Sequence, residues 1–171
     1  MNTKAIAIID TSFYIHLVKM GLIDIFINLY NVIVCNKVKS EITYFKYNNM
    51  YVPLDIEIFD KLVKDKRITI KNPKKISKKL KSEISKDSGE LYSIALAQEL
   101  DCIVFIDNGR PFEYCKKYDV KCANSIELMV YLNSKKLLTK EEITNKLRII
   151  QNSIPIKYLE DCLNILNVVI L

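Results

Sequence analysis

The stretch Ala5-Ile-Ala-Ile-Ile-Asp-Thr-Ser12 carries the strongest indication of the fold, because a continuous apolar run stops at Asp10 and a helical pattern follows at once. A short run that is apolar at every position is typical of a strand buried on both faces of a parallel sheet. Residues 31–35 and 102–106 repeat the pattern. The sequence therefore predicts at least three buried parallel strands.

Helical patterns lie between and after these strands. Alternation of strands and helices predicts right-handed βαβ units, with a parallel sheet between two layers of helices. We therefore expect a three-layer α/β/α sandwich. The predicted helices cover residues 12–19, 22–30, 37–47, 54–66, 88–100 and 112–118, and further helices start at Ser125, Thr139 and Pro155, with a small strand at 119–122.

Length and composition predict one folded unit. With 171 residues, of which 50% are hydrophobic, the chain is long enough for one core, and three Gly and four Pro leave little room for linkers. We expect a single domain over residues 1–171, with 125–171 as a helical extension packed on it. Five cysteines without a CxxC pair indicate neither a zinc site nor disulfides. The apolar run ending at Asp10 is too short for a signal sequence or membrane span, so we expect a cytoplasmic protein without membrane attachment.

The net charge of +6 is concentrated in one segment. Residues 61–86 hold eleven Lys and Arg against two acids, which gives a local charge of +9. Such a segment suits contacts to nucleic-acid phosphates, and a solvated lysine-rich helix face explains it equally well. The candidates for phosphate contacts in it are Lys74, Lys75, Lys78 and Lys79.

The sequence argues against several common catalytic schemes. His16 is the one histidine and lies in an apolar run, so we expect it to be a packed helix residue, and a Ser-His-Asp scheme is disfavoured. An aspartyl phosphatase would want a second Asp two residues after Asp10, where this chain has Ser12. No GxxxxGK[ST] loop for nucleotide phosphates occurs.

Four carboxylates are expected to meet beyond the carboxyl ends of the strands. Asp10 and Asp107 follow apolar strands at that edge, and Glu41 and Glu90 lie in helices next to it. Converging carboxylates repel one another and persist mainly where a cation neutralises them, and hard oxygen ligands favour Mg²⁺ or Mn²⁺. This predicts metal-assisted phosphodiester hydrolysis without a side-chain nucleophile.

Each of these acids also has a purely structural interpretation. The alternatives are a helix N-cap for Asp10, an ion pair with Lys37 for Glu41, a capping box formed by Asp87 and Glu90, and a turn at Asp107-Asn-Gly109. The joint pattern favours the metal interpretation.

At these residues the sequence resembles the PIN-domain family of metal-dependent nucleases, in particular a prokaryotic subgroup with a Gly-Glu dipeptide opening its central helix. The resemblance runs over residues 5–148. The matching segments are Ile8-Ile-Asp-Thr-Ser12, Val38-Lys-Ser-Glu-Ile42, Asp87-Ser-Gly-Glu-Leu-Tyr-Ser-Ile-Ala-Leu-Ala97 and Val104-Phe-Ile-Asp107, with Arg110 beyond the last. Relatives carry a further acid where this chain has Asn108.

The resemblance implies a sheet of four or five parallel strands, Mg²⁺ or Mn²⁺ dependence, and endonuclease activity on single-stranded RNA. It also implies a toxin held by an antitoxin protein. The implied metal ligands and catalytic residues are Asp10, Glu41, Glu90 and Asp107; the implied substrate contacts are Thr11, Ser12 and Arg110; and Asp87 and Asn108 would support the ligands.

Two alternatives remain open at this point. One is a PIN domain that has lost catalysis and serves as a nucleic-acid or protein-binding module. The other concerns the apolar C-terminal stretch from Tyr158 to Leu171, which would pack on the core, on the twofold partner of a homodimer or on an antitoxin.

Overall fold

A computed structural model of the chain describes residues 4–43, 45–47, 50–52, 56–84, 87–107 and 109–166. Five of its strands form one parallel sheet in the order β5-β2-β1-β6-β7, and β3 and β4 form a separate antiparallel hairpin. The strands are β1 Ala5–Ile9, β2 Tyr30–Val34, β3 Phe45–Tyr47, β4 Met50–Val52, β5 Ile68–Ile70, β6 Ile103–Phe105 and β7 Cys122–Ala123. The predicted sheet of four or five parallel strands is confirmed, and it has five.

The sheet is the middle layer of an α/β/α sandwich and is covered by helices, which confirms the predicted fold class. The helices are α1 Thr11–Lys19, α2 Ile23–Leu29, α3 Asn36–Thr43, α4 Ile56–Lys64, α5 Lys78–Glu83, α6 Gly89–Leu100, α7 Gly109–Lys117, α8 Ser125–Ser134, α9 Lys140–Ile150 and α10 Ile156–Leu166. In the described ranges, no single helix is long and apolar enough to cross a membrane.

Strand β1 is the centre of the sheet, with β2 on one side and β6 on the other. Its residues Ala7, Ile8 and Ile9 are fully buried, as expected for a strand covered on both faces. Ile9 is level with Phe105 of β6 in the parallel register. The chain therefore leaves both strands at the same edge of the sheet, and Asp10 and Asp107 lie at that edge.

Aromatic side chains fix α1 against the sheet directly behind Asp10. The rings of Phe13 and Phe105 lie 4.8 Å apart between centroids, and Phe26 of α2 lies 4.9 Å from Phe105 and 5.2 Å from Phe13. Aromatic pairs at these distances contribute beyond the apolar area that they bury. This packing gives α1 a fixed position relative to β6.

The C-terminal helices pack on one another and on the first helix. Helix α10 contacts α8, and both α8 and α9 contact α1. Cys162, Leu163 and Leu166 of α10 are buried, whereas Ile156 and Ile165 are exposed. Up to Leu166, the apolar C-terminal stretch therefore contributes to the core of the chain.

Several predicted elements were wrong in extent. The helix predicted over 37–47 ends at Thr43, and the chain continues as a β-hairpin at Phe45, where aromatic and β-branched residues favour extended structure. The helix predicted over 54–66 is described from Ile56 to Lys64, and the small strand predicted over 119–122 is Cys122–Ala123. Strand β5 and helix α5 were not predicted, because each has only three to six residues within a lysine-rich segment.

Candidate active site

Asp10 is buried at the carboxyl end of β1, with 1% of its surface exposed. Its Oδ1 accepts a hydrogen bond of 2.8 Å from the backbone N–H of Phe13, and its Oδ2 accepts one of 2.7 Å from the hydroxyl of Ser12. The predicted role of Asp10 as an N-cap is therefore confirmed. Each carboxylate oxygen has two acceptor positions, so capping leaves one on each oxygen for a further ligand.

The environment of Asp10 favours its uncharged form. Burial is the largest cause and raises the pKa of Asp10 well above its ordinary value; the negative charges of Asp107 and Glu90 raise it further. The hydrogen bonds from Phe13 and Ser12 oppose this shift. Asp107 and Glu90 are therefore close enough to Asp10 to repel its charge, as expected of acids that share a cation.

Asp107 is held by three donors. The backbone N–H of Ser125 donates to Oδ1 at 2.7 Å, and the Ser125 hydroxyl donates to Oδ2. His16 Nδ1 lies 2.6 Å from the same Oδ2, and both side chains are buried. Ser125 is the first residue of α8, so Asp107 occupies the N-terminus of a helix, a position that favours an anion.

Glu41 links the starts of two helices. Its Oε2 accepts a hydrogen bond of 2.5 Å from the Thr11 hydroxyl, at the start of α1, and its Oε1 accepts one of 2.9 Å from the backbone N–H of Gly89, at the start of α6. The predicted ion pair between Glu41 and Lys37 is wrong, because Lys37 binds Asp87 at 2.9 Å. Lys37 and Glu41 thus both attach α3 to the entry of α6.

Glu90 lies in the first turn of α6, where the helix dipole favours a negative charge. The capping box predicted for Asp87 and Glu90 is wrong. Ser88 is the N-cap and accepts from the N–H of Leu91, while Asp87 has a left-handed backbone with φ of 56°. Lys37 holds the pKa of the exposed Asp87 carboxyl below its usual range. Asn108, the other residue predicted to support the ligands, lies outside the described residues.

These four acids, Asp10, Glu41, Glu90 and Asp107, are called the acidic edge below. Within the described ranges, no three His, Cys, Asp or Glu side chains are grouped closely enough to hold a metal ion as they stand. The donor set nevertheless fits Mg²⁺ or Mn²⁺, because it consists of hard carboxylate oxygens. In the same part of the chain, no lysine or arginine forms an ion pair with Asp10 or Asp107.

The predicted substrate contacts fall into two groups. Thr11 and Ser12 donate their hydroxyls to Glu41 and Asp10, so they hold the acids themselves. Arg110 lies in the first turn of α7, three residues after Asp107, and lines a cavity of about 210 Å³ with Glu83 at the end of α5, Ile84 and residues of α7.

Of the predicted lysines, Lys74 is held at the end of α6 away from the acidic edge. The backbone N–H of Lys74 donates to Glu99 in the last turn of α6, whereas Gly89 at the start of α6 binds Glu41. A helix rises 1.5 Å per residue, so these two contacts are about 15 Å apart along the axis. Lys79 lies over the ring of Tyr118, with 3.7 Å between Nζ and the ring centroid, and Lys75 and Lys78 are exposed.

Sequence reasoning missed two residues of this site. His16 was expected to be a packed residue, and it is buried, but it also binds a predicted metal ligand. Ser125 was predicted only as the start of a helix. Asn124 and Glu127 form a capping box that is visible in the sequence and marks the start of α8. Because a helix N-terminus favours an anion, this motif could have indicated that the N–H of Ser125 binds a carboxylate.

Replacing Gly89 with alanine is expected to disturb the acidic edge. A Cβ at this position would lie 2.5 Å from Glu41 Oε2 and 2.8 Å from Val38 Cγ2, so the contact between α3 and α6 would have to open. We expect Gly89→Ala to lower the free energy of unfolding by about 1–3 kcal/mol, measured by denaturant titration.

Gly109→Ala is the matched control for this prediction. Gly109 is also the first residue of a helix, but an added Cβ there meets nothing within 4 Å. The control should stay within about 0.5 kcal/mol of the wild type. Equal stability of the two variants would show that the contact between Glu41 and Gly89 is not as close as described.

The raised pKa of Asp10 predicts a pH-dependent stability in the presence of EDTA. The folded state binds the proton of Asp10 more tightly than the unfolded chain, in which the pKa of Asp10 is near 3.8. The contribution of Asp10 to the free energy of unfolding is therefore fully present below pH 3.8. It is lost as the pH rises through the raised pKa of the folded state. We expect Asp10→Asn, which keeps the acceptor for Phe13, to be more stable than the wild type above that window.

The measurement is the difference in melting temperature between wild type and Asp10→Asn from pH 4 to pH 8 at fixed ionic strength, a range chosen to begin near the ordinary value of 3.8. Taking the difference removes the contributions of groups that titrate in both proteins. A difference that does not change with pH would mean that the pKa of Asp10 is not raised by folding.

Comparison with known proteins agrees with this geometry. No curated protein matches the sequence significantly. A family profile described as a PIN domain matches residues 6–164, nearly the whole chain, and it includes all four acids of the acidic edge. The chain therefore belongs to the PIN-domain family, whose members are generally nucleases that use divalent metal ions.

Proposed function

We propose that this protein is a divalent-metal-dependent endonuclease that hydrolyses phosphodiester bonds in single-stranded RNA. The observation that supports this most directly is the burial of Asp10 close to Asp107 and Glu90, whose negative charges raise its pKa. A buried carboxylate that neighbouring carboxylates repel is stabilised when the group binds a cation.

In this proposal the four acids of the acidic edge, Asp10, Glu41, Glu90 and Asp107, hold Mg²⁺ or Mn²⁺. A divalent cation at this edge supplies the positive charge and Lewis acidity that phosphodiester hydrolysis needs. Thr11 and Ser12 fix the carboxylates of Glu41 and Asp10 before substrate arrives. This preorganisation spares the reaction the reorientation of charged groups.

The basic segment supports a nucleic-acid substrate. Lys74 lies about 15 Å along α6 from the acidic edge, a distance suited to phosphates away from the cleaved bond rather than to the reacting phosphate. Arg110, at the start of α7, is the predicted cation nearest in sequence to Asp107. Contacts of this kind fix the position of the strand and carry little sequence information.

Other partners stay predictions of the sequence. They are an antitoxin protein, for a chain that would act as a toxin, and a second copy of the chain in a homodimer. Ile156 and Ile165 of α10 are exposed, but they are nine residues apart and lie on opposite faces of the helix, so the two do not form one apolar patch.

The test is cleavage of an end-labelled single-stranded RNA and of a DNA of the same sequence, each with Mg²⁺, Mn²⁺ or EDTA. We expect cleavage of the RNA with metal, none with EDTA, and none by Asp10→Asn, since that change removes a charged ligand without altering side-chain shape. Asp24→Asn is the matched control. Asp24 is an exposed acid of α2 that pairs with Arg67, so this variant should cleave RNA like the wild type.

Each other outcome has a definite meaning. Undiminished cutting by Asp10→Asn or in EDTA would overturn the proposed mechanism. Preferred cleavage of the DNA would keep the mechanism and replace the substrate. Tight binding of RNA without cleavage in Mn²⁺ would favour the alternative of a PIN domain that binds nucleic acid without catalysis.

A further inference from the structure

We infer that His16 is a positioning residue that holds the carboxylate of Asp107 in the orientation needed to bind the divalent cation. The inference rests on the proposed function. It concerns a side chain of α1 that is not one of the four acids of the acidic edge.

The contact between the two side chains is short and shielded from water. His16 Nδ1 and Asp107 Oδ2 are 2.6 Å apart, and the exposed fractions of the two side chains are 5% and 2%. An ionised carboxylate only accepts hydrogen bonds, so Nδ1 must carry the proton and donate. A hydrogen bond to a charged group at this distance is among the stronger ones in proteins.

The bond from His16 determines which oxygen of Asp107 keeps an acceptor position for a cation. Oδ2 receives both His16 Nδ1 and the Ser125 hydroxyl, so its two acceptor positions are occupied. Oδ1 receives only the backbone N–H of Ser125. The remaining acceptor position of Asp107 is therefore on Oδ1, and the two donors on Oδ2 prevent the carboxylate from turning over.

Helix α1 connects this bond to the other buried acid. Asp10 caps the start of α1, and His16 lies six residues later on the same helix. Asp107 follows β6, which pairs with β1 in parallel, so the two carboxylates come from neighbouring strands. His16 fixes Asp107 to the helix that Asp10 begins, and the two carboxylates are thereby kept at a set separation.

Direct participation of His16 in the reaction does not fit the geometry. The ring is almost fully buried beneath the acidic edge, and its Nδ1 is engaged by Asp107. A role limited to filling space does not fit either, since an apolar side chain would leave Oδ2 of Asp107 with one donor fewer in a buried environment. Partners that orient a ligand are expected to influence metal affinity by about 10–100-fold.

The test is calorimetric titration of Mn²⁺ into the folded protein without RNA. His16→Leu removes the donor, and we expect Mn²⁺ affinity to fall by about 10–100-fold. His16→Asn places an amide nitrogen where Nδ1 lies and should restore affinity close to that of the wild type. His16→Gln carries its amide nitrogen one bond further out and should behave like His16→Leu, which provides a second variant if the leucine protein does not fold.

A control separates positioning from general loss of stability. Ile68→Val shortens a buried side chain at the start of β5, away from the acidic edge, and should lower the melting temperature without changing Mn²⁺ affinity. A fall in Mn²⁺ affinity that follows the melting temperature across all variants, including Ile68→Val, would overturn the positioning role.

The remaining outcomes distinguish this inference from the proposed function. If the wild type binds Mn²⁺ and His16→Leu or His16→Gln binds it equally well, the positioning role is overturned and the proposed nuclease stands. If the wild type binds no Mn²⁺, the proposed function fails, and the positioning role fails with it.

Discussion

Acidic side chains are buried at one edge of the parallel sheet, and most of the surrounding structure serves to hold them there. Asp10 and Asp107 leave neighbouring strands at this edge and are almost fully buried. Burial raises the pKa of Asp10, and the negative charge of Asp107 raises it further. Three helices oppose this, because α1, α6 and α8 begin at this edge and their first N–H groups bind Asp10, Glu41 and Asp107 respectively.

The small residues around these acids follow from the same constraint. Thr11, Ser12 and Ser125 are the first or second residues of their helices. Their side chains are short, so each can donate its hydroxyl to a carboxylate at the start of the helix. Gly89 has no side chain, which lets Glu41 approach the first turn of α6. The Gly-Glu dipeptide thus has a physical reason in this fold: the glycine admits one acid and the next residue, Glu90, supplies another.

The sequence predicted best what depends on local pattern. The apolar run ending at Asp10 identified β1 and the edge of the sheet, because a strand buried on both faces needs no knowledge of its neighbours. The contact between His16 and Asp107 joins residues 91 positions apart and has no local signature. Strand β5 was missed for a related reason, since its three residues become a strand only by pairing with β2.

The most direct test of a cation site at the acidic edge is a crystal structure of the protein grown with Mn²⁺, with anomalous diffraction data to locate the ion. The account predicts an anomalous peak in contact with carboxylate oxygens of Asp10 and Asp107 and near Glu90, with His16 still bonded to Asp107. Saturating Mn²⁺ with no peak at this edge, or a peak held only by other residues, would contradict it.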